Sequence, residues 1–196
     1  MSGLAARIVF GILAGGAGRR VGGADKGWLL RNGRPQIEVL IDAIRAVEQR
    51  LGLPPSRLLI SANRNLEDYA RLADAVIPDG DGIDAFPGPL IGVMRLLQAI
   101  QPEERLITLP VDAVPDDALD QAIAVLLQAR ADIITVIDDP SGTQPLFTSY
   151  PGSVQVDCAA AVQRGERSVN AWQCGSDPNH RLVEAVLGNF NHVPAA

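Results

Sequence analysis

A glycine-rich segment with interspersed cations follows the first apolar run of the chain. It reads Leu13-Ala-Gly-Gly-Ala-Gly-Arg-Arg-Val-Gly-Gly-Ala-Asp-Lys26. Glycines permit positive φ angles and let backbone N–H groups approach a phosphate chain closely. Arg19 and Lys26 would supply positive charge, and one cation about 4 Å from one phosphate charge is worth roughly 4 kcal/mol before desolvation. The segment therefore predicts a binding site for a phosphate-bearing ligand.

The distribution of charge supports this interpretation. The chain of 196 residues has a formal net charge of −6, which disfavours general binding to nucleic acid or to an anionic membrane. Between positions 15 and 35, however, five cations face a single acid, so this segment carries about +4 and the remainder about −10. The cations are Arg19, Arg20, Lys26, Arg31 and Arg34, and the acid is Asp25. A small anion would be attracted to this one place.

The sequence of the segment does not match two common phosphate-binding motifs. A Walker loop needs Gly-Lys-Ser/Thr, whereas Lys26 follows an aspartate here. A dinucleotide fingerprint needs GxGxxG, whereas Gly16-Ala-Gly18 is followed by Val21 at the third glycine position. The remaining alternative is a flexible connection whose arginines are merely solvated. The density of glycines and cations directly after a strand favours a binding loop.

A carboxylate ends the most apolar predicted strand, which covers residues 105–111. Asp112 would project there at the carboxyl edge of a sheet, opposite the basic loop. Mg²⁺ needs only one or two protein carboxylates together with phosphate oxygens and waters. Asp112 is therefore a candidate metal ligand, with a helix-capping aspartate as the alternative.

These residues need a scaffold, and the hydrophobic periodicity predicts one in which strands and helices alternate. The predicted strands cover 7–13, 57–62, 75–78, 105–111, 132–137 and 181–186, with an antiparallel strand at 144–150. The predicted helices cover 37–51, 66–72, 89–100, 116–130, 154–164 and 169–172. Such alternation indicates a three-layer α/β/α open sheet, mostly parallel with an antiparallel addition and right-handed crossovers. Ligands of such Rossmann-like sheets bind beyond the carboxyl ends of the strands.

Length and composition set further bounds. A chain of 196 residues without repeats or a clear linker predicts one domain. Cys158 and Cys174 lack the spacing of a metal site, so we expect two free thiols. The first residues do not have the pattern of a signal peptide, and no apolar stretch approaches 18 residues. We therefore expect a cytoplasmic protein without a membrane-spanning helix.

The glycine-rich segment resembles the signature of the molybdenum cofactor guanylyltransferases (the MobA family), which reads approximately LAGGxxxRMGGxDKG. Val21 stands here in place of the methionine. The doubled glycine after Ala14 resembles the guanylyltransferases more than their cytidylyl relatives. The resemblance implies a Rossmann-like nucleotidyltransferase fold, with a nucleotide-binding half at about 1–112 and an acceptor-binding half at about 113–196.

The resemblance also implies roles for individual residues. Arg19, Lys26 and Asp112 would be catalytic, with Asp112 holding Mg²⁺. Asp79 would accept hydrogen bonds from N1 and N2 of guanine, and Asn63 would contact base or ribose. The surrounding Asp81 and Asp84 are read as solvated loop residues. The whole set implied to bind the ligands is Leu13, Ala14, Gly15, Gly16, Lys26, Asn63, Asp79, Gly88, Asn189 and Asn191.

The C-terminal third follows the family less closely. Residues 165–169 and Trp172 match a GxRxV…W element. Val111 replaces a cysteine before Asp112, Gln144 stands where the family has a histidine, and His192 replaces a threonine. The nucleotide chemistry is therefore better specified by the sequence than the acceptor.

The implied reaction is a Mg²⁺-dependent transfer of GMP from GTP to the terminal phosphate of molybdopterin cofactor, which releases pyrophosphate. Transient contact with other cofactor-biosynthesis or molybdoenzyme-delivery proteins would accompany it. One alternative keeps the reaction but changes the substrates, as in a cytidylyltransferase or a sugar-phosphate nucleotidyltransferase. The other is a non-catalytic nucleotide-binding adaptor, which the departures at Gln144 and His192 motivate.

Overall fold

A seven-stranded sheet forms the centre of the computed structural model, which describes residues 7–16, 24–79, 88–175 and 181–185. The order of its strands is β5-β4-β1-β6-β8-β7-β9, and β2 and β3 form a separate hairpin. The strands are β1 (Ile8–Leu13), β2 (Leu30–Arg31), β3 (Arg34–Pro35), β4 (Arg57–Ser61), β5 (Ala75–Ile77), β6 (Arg105–Pro110), β7 (Ile134–Asp139), β8 (Gly142–Pro151) and β9 (Arg181–Ala185). Each main strand lies within two residues of its predicted position.

One strand of the large sheet runs against the others. Strand β8 is antiparallel to both of its neighbours, β6 and β7. All the remaining neighbouring pairs are parallel. The predicted antiparallel addition is therefore confirmed, and it lies inside the described sheet between two parallel strands.

Helices cover both faces of this sheet. They are α1 (Gln36–Arg50), α2 (Leu66–Tyr69), α3 (Pro89–Gln98), α4 (Asp117–Gln128), α5 (Gln155–Gln163) and α6 (Val169–Gly175). Side chains alternate along β1, so Phe10 and Ile12 pack in the core with α1 and α4, whereas Val9 packs in the core with α3, α5 and α6. The three-layer α/β/α architecture is confirmed.

Local sequence signals set the starts of two helices near the cleft. Pro89 occupies the first turn of α3, after Gly88 with φ 103°. The carboxylate of Asp116 accepts a hydrogen bond from the N–H of Leu119 at 2.9 Å and caps α4. The capping role that the sequence left open for Asp112 therefore belongs to Asp116.

The hairpin β2–β3 is a feature that the sequence interpretation missed. Its turn consists of Asn32 and Gly33, with φ angles of 50° and 78°, and an Asn-Gly pair is a strong signal for such a turn. The hairpin directs Arg34 toward α1, where its guanidinium lies 2.9 Å from the carboxylate of Asp42. Part of the positive charge counted in the segment at 15–35 is therefore paired with α1 through Arg34.

The two cysteines differ in their exposure. Cys158 is buried, Cys174 is exposed, and neither forms a disulfide. Within the described ranges, no helix is both long enough and apolar enough to cross a lipid bilayer.

Candidate active site

A cleft of about 390 Å³ opens at the carboxyl edge of the parallel strands. Its walls come from the ends of β1, β4 and β6, from the start of α3 and from Leu146 on β8. Eight of the residues singled out from the sequence line it: Leu13, Ala14, Gly15, Gly16, Lys26, Asp79, Gly88 and Asp112. The topology therefore brings segments distant in sequence to one edge, as expected for a sheet of this type.

The start of the glycine-rich loop is fixed by extensions of the sheet. The N–H of Ala14 donates to the carbonyl of Ser61 at 2.8 Å, and the N–H of Val111 donates to the carbonyl of Leu13 at 3.1 Å. These hydrogen bonds continue the pairing of β1 with β4 and β6 beyond the ends of the strands. Gly15 and Gly16 consequently enter the cleft from a rigid support.

The cation and the carboxylate predicted for catalysis meet across the cleft. Lys26 begins a short 3-10 helix (Lys26–Trp28), and its Nζ lies 2.7 Å from Oδ2 of Asp112. Their side chains are 34% and 30% exposed, respectively. Both groups thus remain open to a ligand in the cleft while neutralising one another.

A second carboxylate is almost completely buried beside the loop. Asp79 is only 7% exposed, and its oxygens accept hydrogen bonds from Oγ of Ser61 and, at 3.4 Å, from Nδ2 of Asn63. The N–H of Asp79 in turn donates to Oδ1 of Asn63 at 2.9 Å. Burial raises the pKa of the Asp79 carboxyl, and the hydrogen bonds from Ser61 and Asn63 oppose this shift. Asn63 therefore orients Asp79, and Ser61 is a site residue that the sequence interpretation missed.

The first glycine of the loop is required by this carboxylate. A Cβ built on Gly15 would overlap Oδ2 of Asp79, whereas one built on Gly16 would meet nothing within 4 Å. A Cβ on Gly92 of α3 would lie 3.0 Å from Oγ of Ser61. Glycine at position 15 thus lets the loop approach Asp79 directly.

The start of α3 is joined to the C-terminal third of the chain. The N–H of Leu90 donates to the carbonyl of Arg167 at 3.4 Å, and a Cβ on Gly88 would lie 3.2 Å from this same carbonyl oxygen. The N–H of Leu90, in the first turn of α3, is therefore directed at Arg167.

Other sequence candidates lie elsewhere. Gln144 donates to Oδ1 of Asp139 at 2.9 Å and thereby helps to close the turn between β7 and β8. Arg19, Asp81, Asp84, Asn189, Asn191 and His192 lie outside the described residues.

The donor set at the cleft suits a metal ion that arrives with a ligand. Asp112 supplies one accessible carboxylate, and the described part of the chain contains no cluster of three or more His, Cys, Asp or Glu able to hold an ion. Mg²⁺ commonly completes such a site with phosphate oxygens and waters. The residues present therefore fit a divalent ion bound together with a nucleotide.

A three-layer sheet with a glycine loop, a lysine and an aspartate at its carboxyl edge defines the class of nucleotide-handling α/β proteins. The family model described as MobA-like NTP transferase domain matches residues 11–177, and the chain belongs to this family of nucleotidyltransferases. It is 36% identical over 162 residues to a molybdenum cofactor guanylyltransferase of Ectopseudomonas mendocina, covering 82% of this chain and 74% of the relative. A second relative of the same name, from Ralstonia nicotianae, is 34% identical over 186 residues, covering 90% of this chain and 84% of the relative.

Solved structures support the fold. The molybdopterin-guanine dinucleotide biosynthesis protein A of Archaeoglobus fulgidus superposes with a TM-score of 0.63 at 17% identity, covering 90% of this chain and 83% of that one. Rv0371C of Mycobacterium tuberculosis, in complex with manganese, gives a TM-score of 0.58 at 18% identity, covering 94% and 90%. At these identities the likeness shows the shared architecture.

Proposed function

We propose that the protein transfers GMP from GTP to the terminal phosphate of molybdopterin cofactor and releases pyrophosphate. The observation that carries the proposal is the meeting of Lys26 and Asp112, 2.7 Å apart, beside the glycine loop in one cleft. The names of the relatives supply the substrates. A phosphate-binding cation next to a potential metal ligand is the minimum set for phosphoryl chemistry.

The reaction needs no nucleophile from the protein. An oxygen of the acceptor phosphate attacks the α-phosphorus of GTP, and the bond from this phosphorus to the pyrophosphate oxygen breaks. The protein contributes position and charge. The backbone of Gly15 and Gly16 would orient the triphosphate, while Lys26 and Arg19 would neutralise its oxygens.

Asp112 would hold Mg²⁺, which when bound supplies positive charge to the phosphates. In the ligand-free protein Lys26 neutralises this carboxylate. Phosphate oxygens entering the cleft would attract Lys26 and free Asp112 for the ion. Asn189 or Asn191 would assist on the metal or acceptor side.

Selection of the base is assigned to Asp79. Its carboxylate lines the cleft and is held by Ser61 and Asn63, so its oxygens have a fixed direction. A carboxylate can accept hydrogen bonds from N1 and N2 of guanine, a pair of donors that cytosine does not present in that arrangement. Asn63 would support the nucleoside through Asp79 and by direct contact.

We place both substrates on one domain of the cytoplasmic enzyme. The nucleotide half at about 1–112 contributes most of the cleft, and Leu146 from the second half reaches it. Transient contact with other cofactor-biosynthesis or molybdoenzyme-delivery proteins would pass on the product.

Incubation with GTP, Mg²⁺ and molybdopterin, followed by mass spectrometry, tests the proposal. We expect the guanine dinucleotide form of the cofactor and an equivalent of pyrophosphate. Parallel thermal shifts with GTP, CTP, ATP and UTP identify the nucleotide. Preferential stabilisation by CTP would support a cytidylyltransferase, and GTP binding without product would support the non-catalytic adaptor.

A further inference from the structure

The carboxylate of Asp25, which immediately precedes Lys26, is bound on both of its oxygens. Oδ1 accepts hydrogen bonds from the hydroxyl of Tyr69 at 2.6 Å and from the N–H of Gly27 at 3.1 Å. Oδ2 accepts one from Nδ2 of Asn65 at 2.9 Å. The residue before Lys26 is therefore tied to α2 and to the segment leading into it.

Tyr69 reaches this carboxylate from the core. The side chain is fully buried, packs in the core with α1 and α4, and is absent from the walls of the cleft. Burial, and then the neighbouring Asp25, raise the pKa of the Tyr69 hydroxyl. The hydroxyl therefore stays protonated and acts as a donor throughout the working pH range.

The two residues after Lys26, Gly27 and Trp28, also lie against Tyr69. A Cβ on Gly27 would overlap the Tyr69 oxygen, so glycine at this position lets the hydroxyl enter the turn. The ring of Trp28 lies against the ring of Tyr69, with 5.3 Å between their centroids. Fixed backbone on both sides of Lys26 leaves its side chain as the part able to move.

We propose that Tyr69 is a positioning residue for Lys26, acting through Asp25 and Gly27 to aim the lysine at the phosphates without touching the nucleotide. The inference rests on the proposed function only in that Lys26 binds the triphosphate. Removing the hydroxyl would loosen the turn from which Lys26 extends. The nucleotide would then lose affinity through its phosphates and not through its base.

A double-mutant cycle in the full-length protein tests the proposal. Tyr69→Phe removes the hydroxyl alone, and Lys26→Met removes the ammonium. We expect Tyr69→Phe to weaken the binding of Mg·GTP roughly tenfold by calorimetry, corresponding to one hydrogen bond to a charged group. In the Lys26→Met background the same change should alter affinity by less than about twofold, because residues acting as one unit are not additive. Equal losses in both backgrounds would overturn the proposal.

A second ligand and a matched tyrosine separate positioning from stability. Guanosine lacks phosphates, so Tyr69→Phe should leave its affinity unchanged. Tyr150 is also fully buried, and its hydroxyl accepts a hydrogen bond from Gln173 at 2.7 Å on the other side of the sheet. Tyr150→Phe should lower the midpoint of thermal unfolding without weakening the binding of GTP. A similar loss of GTP affinity in Tyr150→Phe would count against a specific role for Tyr69.

Asp25→Ala provides an independent route if Tyr69→Phe folds poorly, and it should show the same dependence on Lys26. Unchanged GTP affinity in both variants would refute the inference. The mass-spectrometric assay distinguishes this result from failure of the proposed function. If the cycle is non-additive but no transfer product forms, the positioning role of Tyr69 stands and the assignment of the acceptor is refuted. Failure of the wild-type protein to bind GTP would overturn both.

Discussion

Nζ of Lys26 and Oδ2 of Asp112 lie 2.7 Å apart, although 86 positions separate the two residues in the chain. The pair is about one-third exposed, and ion pairs of this kind contribute only about 0–1 kcal/mol to stability. Each partner can therefore exchange the other for a ligand group at low cost. The pair resembles a resting arrangement that a nucleotide and its metal ion would replace.

Replacing Lys26 with methionine should affect nucleotide binding and metal binding in opposite directions. We expect the affinity for Mg·GTP to fall about ten- to hundredfold, because the variant lacks a charge-assisted contact to phosphate. Mn²⁺ alone should bind up to about fivefold more tightly, because Asp112 no longer has a competing cation. Calorimetry with GTP and paramagnetic resonance of Mn²⁺ measure the two effects. Intact turnover of GTP and cofactor in this variant would refute the role of Lys26.

Asp112→Asn should have the complementary effect. The amide keeps the shape but removes the anionic oxygen, so we expect GMP transfer to fall at least about a hundredfold. GTP measured without metal should bind as well as in the wild type, since Lys26 is released. Asp116→Ala is the matched control: it removes the cap of α4 and should cost about 1 kcal/mol of stability with transfer preserved. Loss of transfer in the control and not in Asp112→Asn would reverse the assignment.

The two adjacent glycines of the loop should respond differently to alanine. Gly15→Ala forces Asp79 away from Ser61 and Asn63, and overpacking of this kind typically costs about 1–3 kcal/mol, or roughly 2–12 °C in a domain of this size. It should also abolish the preference for GTP over ATP. Gly16→Ala adds a methyl group to open space, so its unfolding midpoint should stay near that of the wild type. Equal midpoints for the two variants would contradict the close approach of loop and carboxylate.

Asp79→Asn should stabilise the protein relative to the wild type, and the gain should depend on pH. Because burial raises the pKa of Asp79 in the folded protein, its ionisation destabilises the fold progressively as the pH rises above the unfolded value of 3.8. The variant has no such ionisation, so its stability relative to the wild type should increase from acidic to neutral pH. Urea midpoints of both proteins between pH 4 and 7.5 measure the difference. A difference that is flat, or that shrinks with rising pH, would show that desolvation of Asp79 does not dominate.

Local patterns predicted the scaffold well. Short apolar runs bounded by glycine and proline located β1, β4 and β6, and the turn residues between β7 and β8 indicated the antiparallel strand. The hairpin β2–β3 was missed although Asn32-Gly33 is a strong turn signal, because its two strands have only two residues each and show no hydrophobic periodicity. The pairing of Arg34 with Asp42 followed from that hairpin, and charge counting along the chain does not detect such a partner.

The residues of the candidate site that belong to a sequence motif could be predicted. Those that reach the site only through tertiary contacts could not. Lys26, Asp79 and Asp112 carry recognisable chemistry at the ends of predicted elements. Ser61 is an ordinary polar residue at the end of a strand, and Tyr69 is a buried aromatic in a four-residue helix. Their partners lie 18 and 44 positions away in the chain, so their roles emerge only when the sheet and its helices have assembled.

The antiparallel strand has a consequence for how the protein is made. All six residues of β6 are buried, and β8, which covers one side of it, belongs to the second half of the chain. A ribosome that has released β6 must still synthesise α4 and β7 before that side is shielded. During this interval the unpaired backbone N–H and C=O groups on that side of β6 are open to pairing with other nascent chains. The segment that ends with β6 is therefore expected to depend on the strands made after it for its solubility.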